Sequence, residues 1–159
     1  MTIEINHNLL YLLSMANRFA ERKVNDILTP YNIKSGQVIA LFLLYENPGL
    51  TQKDICDLTG IEQPTIANTL KRMERDALII RKSDKTDKRM IRNYLSADVA
   101  EKMPEIYAVM QKAEDKIMGA IENTKQDMIK YDLLHITKTL DPEWRFVTRW
   151  GSDLLDKKE

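Results

Sequence analysis

Between Thr51 and Ser96 two short amphipathic helical patterns, a glycine turn and a basic hairpin follow one another, and few folds accept that order. The first pattern, Thr51 to Thr59, turns Ile55, Cys56 and Leu58 inward. Thr51 is its N-cap, and Asp54, three residues on, places a carboxylate in the first turn, where it suits the helix dipole. Gly60 supplies the turn. The second pattern, Gln63 to Arg75, carries Ile66, Leu70 and Met73 on one face, and Pro64 occupies its first turn, where a missing amide costs nothing. Leu78 to Arg81 and Ile91 to Leu95 then read as two short strands around the polar turn Ser83 to Lys88. Helix, turn, helix and hairpin in this order predict a winged helix-turn-helix.

Charge gives that arrangement a partner. The whole chain is neutral, with 24 bases and 24 acids. From Glu62 to Leu95, however, nine bases face five acids, a surplus of four, so the remainder carries −4. A basic lobe on an acidic body supplies phosphate-neutralising charge while keeping non-specific affinity modest. The outer face of the second helix and the hairpin loop aim Gln63, Pro64, Thr65, Asn68, Thr69, Arg72, Arg75, Lys85, Lys88 and Arg89 at double-stranded DNA, the helix toward a major groove and the loop toward the neighbouring minor groove. Charge alone also fits a solvated face. Arg72, Arg75 and Lys82 favour DNA because they flank both the helix and the wing, where phosphate contacts position a protein without specifying sequence.

Long helices flank this lobe. Asn6 to Thr29 repeats apolar residues from Leu9 to Leu28 at spacings of three and four, and Pro30 closes it. Ser35 is placed to cap a second helix through Val38 to Leu44, apolar nearly all round and therefore buried, and Asn47-Pro48-Gly49 is a turn. From Ala97 a helix of about 24 residues runs through Val99, Met103, Ile106 and Ile117 to Ile121, kinked near its start by Pro104. Asn123-Thr124 breaks the pattern, and Met128 to Leu140 forms a last amphipathic helix. The fold class is mainly α with a small β wing. The 159 residues, 43% apolar, make a single domain, with a winged lobe over 33–96, dimerisation helices over 1–32 and 97–140, and an extension over 141–159. The outer helices carry more apolar surface than the lobe covers, so a homodimer is expected, with recognition helices roughly 34 Å apart reading a pseudo-palindrome.

Several classes are disfavoured. The longest apolar run, Val38 to Tyr45, is too short to span a bilayer, and Met1 to His7 lacks the features of a signal peptide, so a cytoplasmic, membrane-free location is expected. Cys56 is the single cysteine. A redox role competes with a structural one, and its inward face favours a structural thiol. His7 and His135 form no spaced ligand set, so no metal and no cofactor is expected. Nucleophile elbow, phosphate loop and convergent carboxylates are lacking, which argues against an enzyme.

The residues resemble those of the multiple-antibiotic-resistance regulator (MarR) family of bacterial transcription factors, over roughly residues 6–140. The most specific part is Asp87-Lys88-Arg89 followed by Tyr94-Leu95-Ser96, similar to the family's Asp-x-Arg wing and the Leu-Thr closing its second strand. Leu50 to Ile55, Gln63 to Ile66 and Leu70 to Glu74 are similar as well. The resemblance implies a triangular homodimer whose base is Asn6 to Thr29 with Ala97 to Leu140, and an Arg89 that contacts the minor groove or backbone while Asp87 holds it by an ion pair. It also implies a small aromatic or amphipathic effector between the lobe and the dimer helices, with Met15, Phe19, Phe42 and Tyr107 as candidate lining residues; core filling is the competing role for methionines such as Met15, Met110 and Met118.

Ala67 and Asn68 depart from the family's usual serine and arginine, so base contacts cannot be copied. Asn68 can instead pair with an adenine, a contact worth about 1–3 kcal/mol of discrimination. Asn93 replaces a usual aliphatic, which predicts a less well packed wing strand. Trp144, Val147, Trp150, Leu154 and Leu155 in the tail are candidates to extend the dimer interface. The leading function is a ligand-responsive transcriptional regulator, a repressor blocking polymerase at its operator. The alternatives are a winged-helix protein-interaction module with incidental DNA affinity and, weakest, an enzyme.

Overall fold

In a computed structural model, residues 8–142 are described. Six helices and one hairpin follow in the order α1 (Leu9–Leu28), α2 (Val38–Glu46), α3 (Gln52–Thr59), α4 (Gln63–Arg75), β1 (Ile79–Ser83), β2 (Ile91–Leu95), α5 (Ala97–Met118) and α6 (Asn123–Leu140). His7 and the tail tryptophans lie outside the described residues. Asn8 starts α1 by accepting the Tyr11 N–H at 3.0 Å through its side chain.

Pro30 ends α1 through a 3-10 turn, Thr29–Tyr31, and Asn32 follows in the left-handed region at φ 56. Ser35 does not cap α2. It opens a second 3-10 turn, Ser35–Gln37, and the buried Gln37 side chain caps that turn by accepting the Lys34 N–H at 2.8 Å, while α2 itself starts from Gln37 with no side-chain cap. The longer amide side chain reaches back where the serine hydroxyl does not. As its all-round apolar sequence predicts, α2 buries Ala40, Leu41, Leu43 and Leu44, although Ile39 is exposed.

The core lies where α1, α2, α3, α4, β1 and α5 meet. Leu28, Ile33, Leu41, Leu44, Ile55, Ile66, Leu70, Met73, Met103 and Ile106 are all but inaccessible there. Burial on this scale stabilises by about 1.5–3 kcal/mol for each large side chain before entropy is set against it. Pro104 lies inside α5, within its first turns, where the helix continues past it.

The first strand runs Ile79–Ser83, one residue later at its start and two at its end than Leu78 to Arg81, and two helix boundaries also differ from the periodicity. α5 ends at Met118, not Ile121, and Gly119 to Glu122 form the break, so Asn123 starts α6 rather than interrupting it. Gln126 reaches back from α6 to the carbonyls of Met118 and Ile121 at 3.0 and 3.1 Å, which adds side-chain bonds to the backbone turn at the break. No described residue of α6 is buried.

β1 and β2 pair antiparallel, from Ile79 opposite Leu95 to Ser83 opposite Ile91. Asn93 packs more tightly than an amide in an apolar strand is expected to. It is 1% exposed, and both its N–H and its Nδ2 donate to the Leu50 carbonyl, at 3.0 and 2.8 Å. The strand is thus held by polar bonds where the usual aliphatic would hold it by contact.

Candidate nucleic-acid interface

Capping sets the angle between α3 and α4. Thr51 accepts the Asp54 N–H while Asp54 accepts the Thr51 N–H at 2.8 Å, a reciprocal box at the start of α3. Gly60 ends α3 at φ 68, a left-handed conformation that costs glycine little, and α4 begins after Glu62 with Pro64 in its first turn.

Ile66, Leu70 and Met73 seat α4 on the core. That fixes which residues look outward: Gln63, Pro64, Thr65, Asn68, Arg72 and Arg75 are exposed, and Thr69 is half-buried at the edge. Two of these are already engaged. Gln63 Oε1 accepts from Gln52 Nε2 at 2.7 Å, tying the starts of α3 and α4 together. Arg75 pairs with Asp76 through Nε at 2.8 Å and Nη2 at 3.2 Å, which holds the Asp76 carboxyl below its ordinary range.

On the wing, Arg89 Nε lies 3.2 Å from Asp87 Oδ1, whose carboxylate also accepts the Arg89 N–H at 3.0 Å. The Arg89 side chain is 92% exposed, free to meet a partner yet limited in its rotamers. Lys85 and Lys88 are exposed beside it. Lys82 instead sits 5.6 Å over the Tyr94 ring, a cation–π contact on the hairpin's flank.

Sequence reasoning missed the groove between the helix pair and the wing. A concavity of about 720 Å³ opens there, bordered by Gln52, Lys53, Gln63, Arg81, Arg89 and Arg92. Arg81 leans toward Glu74 of α4 at 3.4 Å, and its Nε is buried without a partner. Its place opposite Asn93 in the hairpin register is legible only once the register is known.

The four candidate effector residues separate. Phe42 and Tyr107 pack edge to face at 6.1 Å and line a pocket of about 230 Å³ between α1, α2 and α5, with Val24, Ile27 and Met110. Phe42 and Met110 also border an adjoining pocket of about 340 Å³. Neither Met15 nor Phe19 lines these two. Met15 is half-buried on α1, and Phe19 is exposed beneath the Arg22 guanidinium. Cys56 is buried, and burial followed by the nearby Asp57 charge pushes its thiol up. Among the described residues no three metal-ligating side chains converge, and no single helix is long and apolar enough to cross a membrane.

Residues 31–90, from the turn after α1 to the wing tip, match the family model MarR_2, described as MarR family. Over that segment the chain is similar to the MarR family. Among similar proteins, the Bacillus subtilis HTH-type transcriptional regulator YwoH is 26% identical over 129 residues, covering 80% of this chain and 92% of that protein. The organic hydroperoxide resistance transcriptional regulator of Bacillus subtilis is 29% identical over 143 residues, covering 87% and 92%. The fold is also that of the MepR–DNA complex of S. aureus, at TM-score 0.77 and 24% identity over 84% of this chain and 99% of that one. The likeness to such solved structures gives this chain a winged-helix fold, mostly helical with a two-stranded wing.

Proposed function

We propose that this chain is a MarR-family repressor that binds a pseudo-palindromic operator as a homodimer and releases it on binding a small aromatic or amphipathic effector. One observation carries the reading. A helix with its inner row wholly buried presents Gln63, Thr65, Asn68 and Arg72 outward, beside a wing that presents Arg89. In this assignment α4 enters the major groove, Asn68 reads a base edge, Arg72, Arg75, Lys85 and Lys88 neutralise phosphates, and Arg89 meets the minor groove. Residues 33–96 act as the DNA-binding lobe, and the helices on either side dimerise.

Unburied apolar surface supports the dimer. Leu9, Leu10 and Leu12 on α1 and Met128, Leu133 and Leu140 on α6 are 45–66% exposed. A helix like α6, with no buried residue in one protomer, gains its stability by packing against another element. The effector enters at Phe42 and Tyr107, whose rings wall the pocket between the core and the outer helices. It acts by favouring a dimer geometry whose recognition helices no longer fit the half-site spacing, limited by its differential affinity for the two states. Peroxide sensing, the theme of the hydroperoxide relative's name, is not carried over, since a buried thiol with a raised pKa has little reactive thiolate. The match of residues 31–90 to the MarR family model likewise weighs against a protein-interaction module with incidental DNA affinity.

Selection of random duplexes on the purified protein tests the reading, with the enriched sequence retested at two salt concentrations. An enriched pseudo-palindrome bound far more tightly than random DNA is the expected result. Weak, purely salt-driven binding without enrichment would refute sequence-specific operator recognition.

A further inference from the structure

Below the wing tip a second carboxylate–guanidinium pair faces inward. Asp84 is 7% exposed. Its Oδ1 accepts the Thr86 hydroxyl at 2.6 Å, the Thr86 N–H at 2.8 Å and the Asp87 N–H at 3.0 Å, and its Oδ2 accepts from Arg92 Nε. The same guanidinium turns a second donor, Nη1, onto the Gly49 carbonyl at 3.0 Å. The planar fork of arginine serves two acceptors at a fixed angle, which a lysine ammonium does not reproduce.

Gly49 begins a stretch that lies against β2 like a short third strand. Its N–H donates to the Asn93 carbonyl at 2.8 Å, the Asn93 N–H donates to Leu50 at 3.0 Å, and Thr51 bridges Arg92. Gly49 has φ 92, and a Cβ there would meet the Tyr94 hydroxyl at 3.0 Å, so the close approach depends on glycine. Two residues later Thr51 caps α3. A continuous run of bonds therefore leads from Asp87, beside Arg89, through Asp84 and Arg92 to the start of the helix pair that carries α4. A wing without that run would sample many positions, and ordering it would fall on the binding step.

We propose that Arg92 is a positioning residue for DNA binding: clasped between Asp84 and the Gly49 carbonyl, it fixes the wing loop to the segment that starts α3, so that Arg89 meets the duplex at a set distance from α4. The inference rests on the reading of the wing as a DNA contact. It gives Arg92, a basic residue beside a DNA-facing groove, an inward role in place of a phosphate contact.

Asp84→Asn separates the two roles by sign. The change replaces one acceptor oxygen with a donor and leaves Oδ1 for Thr86 and Asp87. Removing a negative charge from a DNA-facing lobe should tighten binding by electrostatics alone, whereas loss of the clasp should weaken it. The probe is a labelled duplex selected by the protein from a random library, and affinities are measured for Asp84→Asn, Arg92→Met and Arg89→Ala, and for each of the first two combined with Arg89→Ala. Circular dichroism melting checks folding, and Asp84→Asn decides the matter if Arg92→Met does not fold.

Asp84→Asn and Arg92→Met are each expected to weaken the probe about tenfold alone, and by less than about twofold when Arg89 is already alanine, because a clasp acts through the residue it places. Unchanged or tighter binding by Asp84→Asn, or losses that persist in full without Arg89, would overturn the proposal. An Arg89→Ala variant that binds like the parent would overturn both the clasp and the wing contact beneath it, and that single variant shows this before any double variant is read.

Discussion

The two DNA-facing elements are held by opposite physics. α4 is seated by Ile66, Leu70 and Met73, none more than 2% exposed, so apolar burial sets its orientation. The wing has exposed or half-buried side chains along most of its length and is held by Asp84, Arg92 and Asn93 through directed polar bonds. Burial is forgiving in direction and large in sum, while hydrogen bonds are modest in net energy and exacting in geometry. A recognition helix can thus be fixed by shape, whereas a short hairpin with little to bury takes its position from polar partners.

The largest effect is expected on the apolar side. Leu70→Ala should destabilise the protein by about 3–5 kcal/mol, because the site is fully enclosed and leaves a cavity. Chemical denaturation measures it. A loss under about 1 kcal/mol would mean that α4 is not held by burial. Next come the contacts themselves. Asn68→Ala should relax preference at particular base pairs by about 1–3 kcal/mol, while Arg89→Ala should weaken all duplexes alike and reduce the salt slope by about one. Titrations of selected and random duplexes at several salt concentrations separate the two, and equal losses on both kinds of DNA from both variants would sink that division of labour.

The same contrast explains what was legible in the sequence. Apolar periodicity marks α3 and α4, the Thr51 box and the Gly60 turn, because those signals repeat at fixed local spacing. The Asp87–Arg89 pair is local as well, two residues apart. Arg92 with Gly49, and Asn93 with Leu50, span 43 residues, and no spacing rule joins them. Asn93 looked like a packing defect because a lone amide in a strand shows nothing of its partner. Gln37 was hidden for a related reason: a glutamine capping from within the turn competes with the more familiar signal of Ser35. On the pocket wall, Phe42 and Tyr107 meet while Met15 and Phe19 do not, since helical spacing fixes a face and not the distance along it.

Acid should weaken the polar side selectively. The Thr86 hydroxyl, then Arg92, then the N–H groups of Asp87 and Thr86 hold the Asp84 carboxyl below its ordinary value of 3.8. A carboxylate with a depressed folded pKa contributes stability that is complete above its unfolded value and is lost as pH falls through the folded one. Asp84→Asn should therefore melt below the parent at about pH 6, and the gap should close as pH falls below about 4. A gap that stays constant with pH would detach this stability from the Asp84 charge.

The smallest effect concerns the joint between the two regimes. Ala77 connects α4 to β1 at φ 56, and around it the Leu78 N–H reaches back to the Met73 carbonyl at 2.8 Å, the pattern of a helix ended by a left-handed residue. Glycine usually fills that place. An alanine there costs about 1–2 kcal/mol in the folded state, and glycine would return about 0.4–1 kcal/mol of that through a freer unfolded chain. Ala77→Gly should therefore stabilise by roughly 0.5–1 kcal/mol, raising the melting midpoint by about 1–4 °C. DNA affinity should stay unchanged, since the substitution relieves the joint without moving either the seated helix or the wing. A melting rise accompanied by altered affinity would show that the strained joint helps set the angle between them.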